Sequence, residues 1–218
     1  MNDKARLKQE LERGLPVLVY DFEGREEEVD MVFYGGAVTP KSITTLRKEA
    51  GGLICFVTGE REGKLLGLPF FTEILREVGM GDLVKRPSYG DEPAFSLWVN
   101  HIETKTGISD NDRAKTIRGL HEVVKLLSTD DGEARRKFRE SFMAPGHVPV
   151  LISRGVDRRR GHTELVMVLA EALGLERSMV IAEMLDEGAS LSKEKAKKLA
   201  KNWGVSFLEG TEILGELA

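Results

Sequence analysis

The chain has one cysteine, Cys55, in 218 residues. No internal disulfide is possible, and a reducing, cytoplasmic setting is expected. No apolar run approaches the ~18 residues that span a bilayer. The charged first ten residues read as an amphipathic helix rather than a signal peptide, so no membrane partner is expected. No lysine–arginine block dominates, the formal net charge is -4 and the pI is about 5.7. Nonspecific nucleic-acid binding is therefore not expected. Gln9 is the only glutamine, and asparagine occurs only at positions 2, 100, 111 and 202. So few thermolabile amides beside 31% charged residues hint at a hot-environment source. Walker and dinucleotide-binding patterns, internal repeats and low-complexity linkers are all missing. One domain over residues 1–218 is the economical reading.

Forty-one per cent hydrophobic residues supply a sizeable core. Short apolar runs at 16–20, 31–38, 53–57, 95–100, 148–153, 178–182 and 205–208 read as strands. Helices are expected over 3–13, stopped by Gly14, and over 40–50, capped by Thr39 and ended by Gly51. Two short ones are expected near 60–66 and 71–78. A long one starts at a cap from Asp110 or Asp112, runs to about Leu127 and is followed by a charged patch to Glu140. Further helices are expected from Gly161, from a Ser192 cap to Trp203, and from a Thr211 cap. The elements mix without even alternation, which predicts an α/β fold of α+β type: a mixed β-sheet covered by helices.

Four stretches carry chemistry. Residues 21–30 pack six carboxylates and Arg25 between two strands. Such crowding needs a cation to offset it, and a hard divalent ion with oxygen ligands would serve. Taken alone, the run is also readable as a solvated acidic turn. Arg158, Arg159, Arg160, Gly161, His162 and Thr163 form a strand-to-helix connection. Free amides, a close-approach glycine and guanidinium forks make a site for a small phosphorylated ligand, and His162 offers a metal-binding nitrogen. A basic turn with a capping histidine is the plainer alternative. His147, beside Pro145 and Gly146, stands on a stiff turn that suits a general acid or base. Glu183 ends a core strand, where α/β sheets place ligands, or is merely a salt-bridged strand end. Cys55 reads as a small core residue. Residues 106–113 position a substrate or cap a helix, His101 and His121 read as structural, and the lysines of 193–201 as a solvated face.

Together these pieces resemble the 3,4-dihydroxy-2-butanone-4-phosphate synthase family, in its stand-alone, archaeal-like form. The motifs follow in order over nearly the whole chain: Arg25-Glu26-x-Glu28-x-Asp30, Gly51-Gly52-Leu53-Ile54-Cys55, Thr106-Gly-Ile-Ser-x-x-Asp112-Arg113, Pro145-Gly146-His147-Val148, Arg159-x-Gly161-His162-Thr163-Glu164, and Glu183. The resemblance implies a lyase of riboflavin biosynthesis that converts ribulose 5-phosphate to 3,4-dihydroxy-2-butanone 4-phosphate and formate. It implies Mg2+ or Mn2+, two ions per site, with Glu26 and His162 as ligands. It implies substrate contacts from Arg25, Glu26, Asp30, Arg159, Arg160, Gly161, His162, Thr163 and Glu183, with Arg159 and Thr163 on the phosphate. His147 and Glu183 match positions essential for turnover, Glu28 and Cys55 line the pocket, and Glu28 or Asp30 is the first base. A homodimer whose sites draw on both subunits is implied as well.

This chain departs from many members by carrying Glu27 and Val29 where they have Asn and Gly. Val29 is expected to stiffen the acidic loop and Glu27 to add charge beside the metal. Two rivals share the inventory. One is a metal-dependent sugar-phosphate isomerase or aldolase, which releases no formate. The other is a non-catalytic sugar-phosphate-binding module.

Overall fold

The computed structural model of the chain describes residues 3–217. In order, it runs α1 (Asp3–Glu12), β1 (Val17–Tyr20), β2 (Val29–Tyr34), α2 (Pro40–Thr45), β3 (Cys55–Thr58), α3 (Glu60–Leu66) and α4 (Phe71–Glu77). It continues with β4 (Phe95–His101), α5 (Asp110–Leu126), α6 (Asp131–Ser141), β5 (Phe142–Ile152), α7 (His162–Ala172) and β6 (Ser178–Glu183). A small hairpin, β7 (Leu185–Asp186) and β8 (Ala189–Ser190), precedes α8 (Lys193–Trp203), β9 (Phe207–Glu209) and a short α9 (Gly210–Glu212).

Seven strands form one mixed sheet in the order β4-β5-β3-β6-β2-β1-β9. The inner strands are largely apolar because both faces are covered, with polar residues such as Asp30, Ser178 and Glu183 at their ends. Alternate side chains feed two cores. Leu18, Met31, Phe33, Phe56 and Val180 pack under α2, α5, α6 and α8; Val19, Val32, Val57, Met179 and Ile181 pack under α1 and α7. The expected α/β fold with a mixed, helix-covered sheet is what forms. Among the described residues, no helix is long and apolar enough to cross a membrane.

Several boundaries differ from the sequence reading. Val29 and Asp30 open β2 instead of belonging to the acidic loop, and both are fully buried. Val29 therefore sets strand pairing and does not stiffen the loop, which spans only 21–28. β2 stops at Tyr34, because a 3-10 turn over Gly35–Ala37 follows. There a Cβ at Gly35 would stand 2.7 Å from the Ser178 carbonyl. Ser109, not Asp110 or Asp112, caps α5: its hydroxyl accepts from the Asp112 amide. The Asp112 carboxylate turns back instead to the amides of Thr106 (3.3 Å) and Gly107 (3.0 Å). The charged patch after α5 is itself a helix, α6, capped by Asp130 and anchored through Ala134 and Phe138. The last helix begins at Gly210, so Thr211 lies inside it and Glu209 precedes it. His147 lies within β5, not before it, because β5 already pairs with β4 from Phe142 onward.

Candidate active site

The site forms where β2 and β3 begin and β6 ends, beside the 21–28 loop. Register places Asp30 opposite Glu183 across the β2–β6 pair and Cys55 opposite Ile181 across β3–β6. Three groups from distant sequence thus share one end of the sheet. A cavity of 330 Å³ opens there, walled by Glu26, Glu28, Asp30, Cys55, Arg159, His162, Thr163 and Glu183.

Asp21 organises the loop. Its buried carboxylate accepts from the amides of Glu26 (3.2 Å) and Glu28 (3.1 Å) and from Arg25 Nη1 (3.0 Å). The turn forces Glu27 to φ 57°, a left-handed conformation that asparagine tolerates better than glutamate. Arg25 is the hub of the loop. Nη1 also meets Glu26 at 2.7 Å, while Nε and Nη2 meet one oxygen of Asp91 at 3.1 and 2.9 Å. Its guanidinium stacks 4.7 Å above the ring of Tyr89, which shares the cavity wall with Glu26.

His162 opens α7 and is buried. Its Nε2 lies 3.2 Å from the Val19 carbonyl, to which it donates. Nδ1 faces Glu26 and Asp30, 3.7 Å from a carboxylate oxygen of each. A neutral imidazole fixed this way presents the Nδ1 lone pair to the cluster. Burial opposes charge on His162, but Asp30, Glu26 and Asp21 outweigh it and push the imidazole up to about 9. Burial pushes Asp30 up to about 7, with Glu183, Glu26 and Glu28 adding to the rise against His162. Burial also opposes charge on Glu26, yet His162, Tyr89 and Arg25 hold it well below the usual carboxylate range.

These donors fit a hard divalent cation. Oxygen and nitrogen atoms of Asp21, Glu26 and His162 lie within 4.8 Å of one another. Asp30 Oδ1 is buried and has no hydrogen-bond partner among the described residues, which leaves one ligand-grade oxygen facing the gap. Asp21 is the weaker candidate, since its oxygens already accept three hydrogen bonds.

Neighbouring backbone braces the carboxylates. The Leu53 amide donates to Glu183 Oε2 at 2.8 Å, and the Gly52 amide to the Glu183 carbonyl at 2.9 Å. A Cβ at Gly52 would stand 2.6 Å from that carbonyl, so only glycine lets the two segments close. Ser190 donates to Glu28 at 2.5 Å. Cys55 is held as a neutral thiol by burial, with Glu183 and Asp30 adding to the effect.

The arginine turn before α7 is built on Glu164. This fully buried carboxylate accepts from the amides of Arg154 (2.9 Å) and Gly161 (3.2 Å) and from Arg159. Gly161 makes room for cations: a Cβ there would stand 2.7 Å from Arg25 Nη2. Arg160 is exposed at the rim, where it lines a side cavity with Arg25, Arg158 and Arg159.

His147, like Arg25, Arg160 and Gly161, is a predicted site residue that does not line this cavity, and it lies apart from the arginine turn as well. It is exposed, and Leu151 on the cavity wall lies four positions further along β5, about 13 Å of extended chain. Asn100 fixes it: Oδ1 accepts the His147 amide at 2.8 Å, which leaves Nδ2 to donate to Nδ1 at 3.1 Å. The loop through Thr106 and Gly107 packs on the same Asn100. Two of the six motifs, 106–113 and 145–148, thus gather at the sheet edge, beside exposed Phe71, Trp98 and Met143.

Sequence reasoning passed over Asp21, Glu164, Tyr89 and Asp91 as site residues. Asp21 lay in the acidic stretch, ahead of its motif, and Glu164 at the end of the arginine motif. Tyr89 and Asp91 sit in an irregular, proline-punctuated stretch with no periodicity to read.

Comparison with known proteins identifies the family. The model of the 3,4-dihydroxy-2-butanone 4-phosphate synthase family matches residues 5–216. A relative of that name from Methanosarcina acetivorans is 40% identical over 216 residues, covering 94% of this chain and 86% of the relative. One from Archaeoglobus fulgidus is also 40% identical, covering 93% of this chain and 88% of its own length. A crystal structure of 3,4-dihydroxy-2-butanone 4-phosphate synthase in complex with two magnesium ions superposes with a TM-score of 0.74 at 25% identity, over 96% of this chain and 93% of that one. The chain belongs to the 3,4-dihydroxy-2-butanone 4-phosphate synthase family.

Proposed function

We propose that this cavity converts ribulose 5-phosphate to 3,4-dihydroxy-2-butanone 4-phosphate and formate, as a lyase of riboflavin biosynthesis. The observation that carries the reading is the convergence of Glu26, Asp30, His162 and Glu183 on one cavity beside the arginine turn. Glu26 and His162 would hold the metal, with Asp30 Oδ1 turned to the same gap. Bound there, Mg2+ or Mn2+, in our reading two ions per site, would supply Lewis acidity toward the substrate oxygens. Arg159, Thr163 and the free amides at the start of α7 hold the phosphate, and Arg160 and Arg25 add positive charge around Gly161.

The first step removes a proton beside a carbonyl. Asp30, buried on the cavity wall and raised above the usual carboxylate range by that burial, is the base we favour. Glu28, oriented by Ser190, is the alternative. Glu183, braced by the Leu53 amide, serves the later transfers that accompany dehydration and skeletal rearrangement. Cys55 packs the wall as a neutral thiol. His147 acts at the site of a second copy. Its exposure, its fixed tautomer and the apolar edge around Trp98 support a homodimer in which residues 106–113 and 145–148 of one subunit complete the cavity of the other.

The decisive test is carbon NMR of ribulose 5-phosphate with the purified protein, with magnesium and with a chelator. Formate and a four-carbon phosphorylated ketone, formed only with metal, are expected. A five-carbon isomer without formate would indicate an isomerase, and no conversion by folded, metal-supplied protein a binding module. Glu26→Ala should abolish turnover while circular dichroism stays unchanged; wild-type activity would remove Glu26 from the metal site.

A further inference from the structure

We infer that Ser190 is a positioning residue: the β7–β8 hairpin carries its hydroxyl to Glu28 and keeps that carboxylate turned into the cavity. The inference rests on the reading of the cavity as a catalytic site and deepens it.

The hairpin grows directly out of the site. Glu183 ends β6 on the cavity wall, and Met184, fully buried, links it to β7. Backbone holds this root on three sides. The Met184 amide donates to the Val29 carbonyl at 2.8 Å, the Leu191 amide donates to the Met184 carbonyl at 2.7 Å, and Met184 bridges to Gly51. Contact between β2 and β6 thus continues past the Asp30–Glu183 pair toward the acidic loop. Ser190, paired with Leu185 across the hairpin, arrives beside Glu28, 162 positions away in sequence. Its hydroxyl donates to Glu28 Oε1 at 2.5 Å.

Asp21 already holds the backbone of Glu28. The Asp21 carboxylate accepts the Glu28 amide at 3.1 Å, and the Asp21 amide donates to the Glu28 carbonyl at 3.2 Å. These bonds fix where the chain passes, not where the side chain points. Glu26, Asp30 and Glu183 line the same wall, and like charges favour a Glu28 rotamer that leaves the cavity for solvent. Among the described residues, Ser190 is the one hydrogen-bond donor to that side chain. A neutral hydroxyl opposes the swing without cancelling the carboxylate's charge. It engages one oxygen and leaves the other to exchange a proton with a substrate hydroxyl. One element thereby sets two carboxylates: Glu183 at the root of the hairpin, and Glu28 through its second strand.

The test compares the wild type with Ser190→Ala and Ser190→Thr in two measurements. One is the crystal structure of each metal-free protein. The other is kcat for formate release from ribulose 5-phosphate with magnesium supplied. In Ser190→Ala the Glu28 carboxylate should leave the cavity wall, and kcat should fall about tenfold. Ser190→Thr keeps the hydroxyl, so Glu28 should stay in place and most of the rate should return. Glu28 in its wild-type position in Ser190→Ala overturns the inference. So does wild-type kcat in that variant, or an equal loss in Ser190→Thr. A wild type that releases no formate removes the proposed reaction instead, and the position of Glu28 in the two crystal structures then decides the role of Ser190 alone.

Discussion

His162 meets two opposed demands. Without a cation, three carboxylates favour its protonated form and raise it to about 9. As a ligand it must be neutral, because the Nδ1 lone pair has to reach the metal. Metal binding near pH 7 therefore displaces a proton. Below about 9, each rise in pH removes competing proton, so affinity should increase with pH and level off above that value. Titration calorimetry in buffers of different ionisation enthalpy would measure the proton released; an affinity that falls as pH rises through 7 to 9 contradicts the assignment. Most of this chemistry is readable from residue types: a histidine opening a helix beside arginines and a run of acids. The conflict is not readable, because it depends on Asp30 lying 3.7 Å from Nδ1, and 132 positions separate Asp30 from His162 in sequence.

At the scale of elements, the strands were legible because burial on both faces makes them continuous apolar runs. Polar helix ends were less so. Three acceptors, Ser109, Asp110 and Asp112, compete for one cap within four residues. Ser109 takes it because Asp112 is engaged by Thr106 and Gly107, and Asp110 by Thr44 (2.8 Å) and Arg47 (3.0 Å). Ser109→Ala should therefore cost about 1 kcal/mol, read as a lower denaturant midpoint with unchanged slope. Helix α6 was hidden by its charge. Only Ala134 and Phe138 face the core, four residues apart, and that stripe is too sparse to stand out in a polar segment.

At the scale of the molecule, the chain divides its motifs between two places. Four meet at the cavity, and two meet at the sheet edge with His147. Sequence order gave no sign of this division, since the two edge motifs fall between cavity motifs along the chain. If two copies complete each other, two inactive variants should rescue one another. A mixture of Glu26→Ala and His147→Ala, denatured and refolded together, should regain about a quarter of wild-type turnover. Half the dimers are then mixed, and one of their two sites carries neither substitution. Rescue that stays at zero, with mixed dimers shown by mass spectrometry, would place His147 in its own subunit's chemistry.

The β1–β9 pairing bears on how the protein is made. β1 leads into the acidic loop, and its outer edge is closed by β9, which pairs Leu18 with Phe207 and Tyr20 with Glu209. On the ribosome, β9 is the last strand of the sheet to emerge. Until it does, the stem of the acidic loop has an open edge. A nascent chain therefore carries every chemical group of the candidate site before the sheet beneath it is closed.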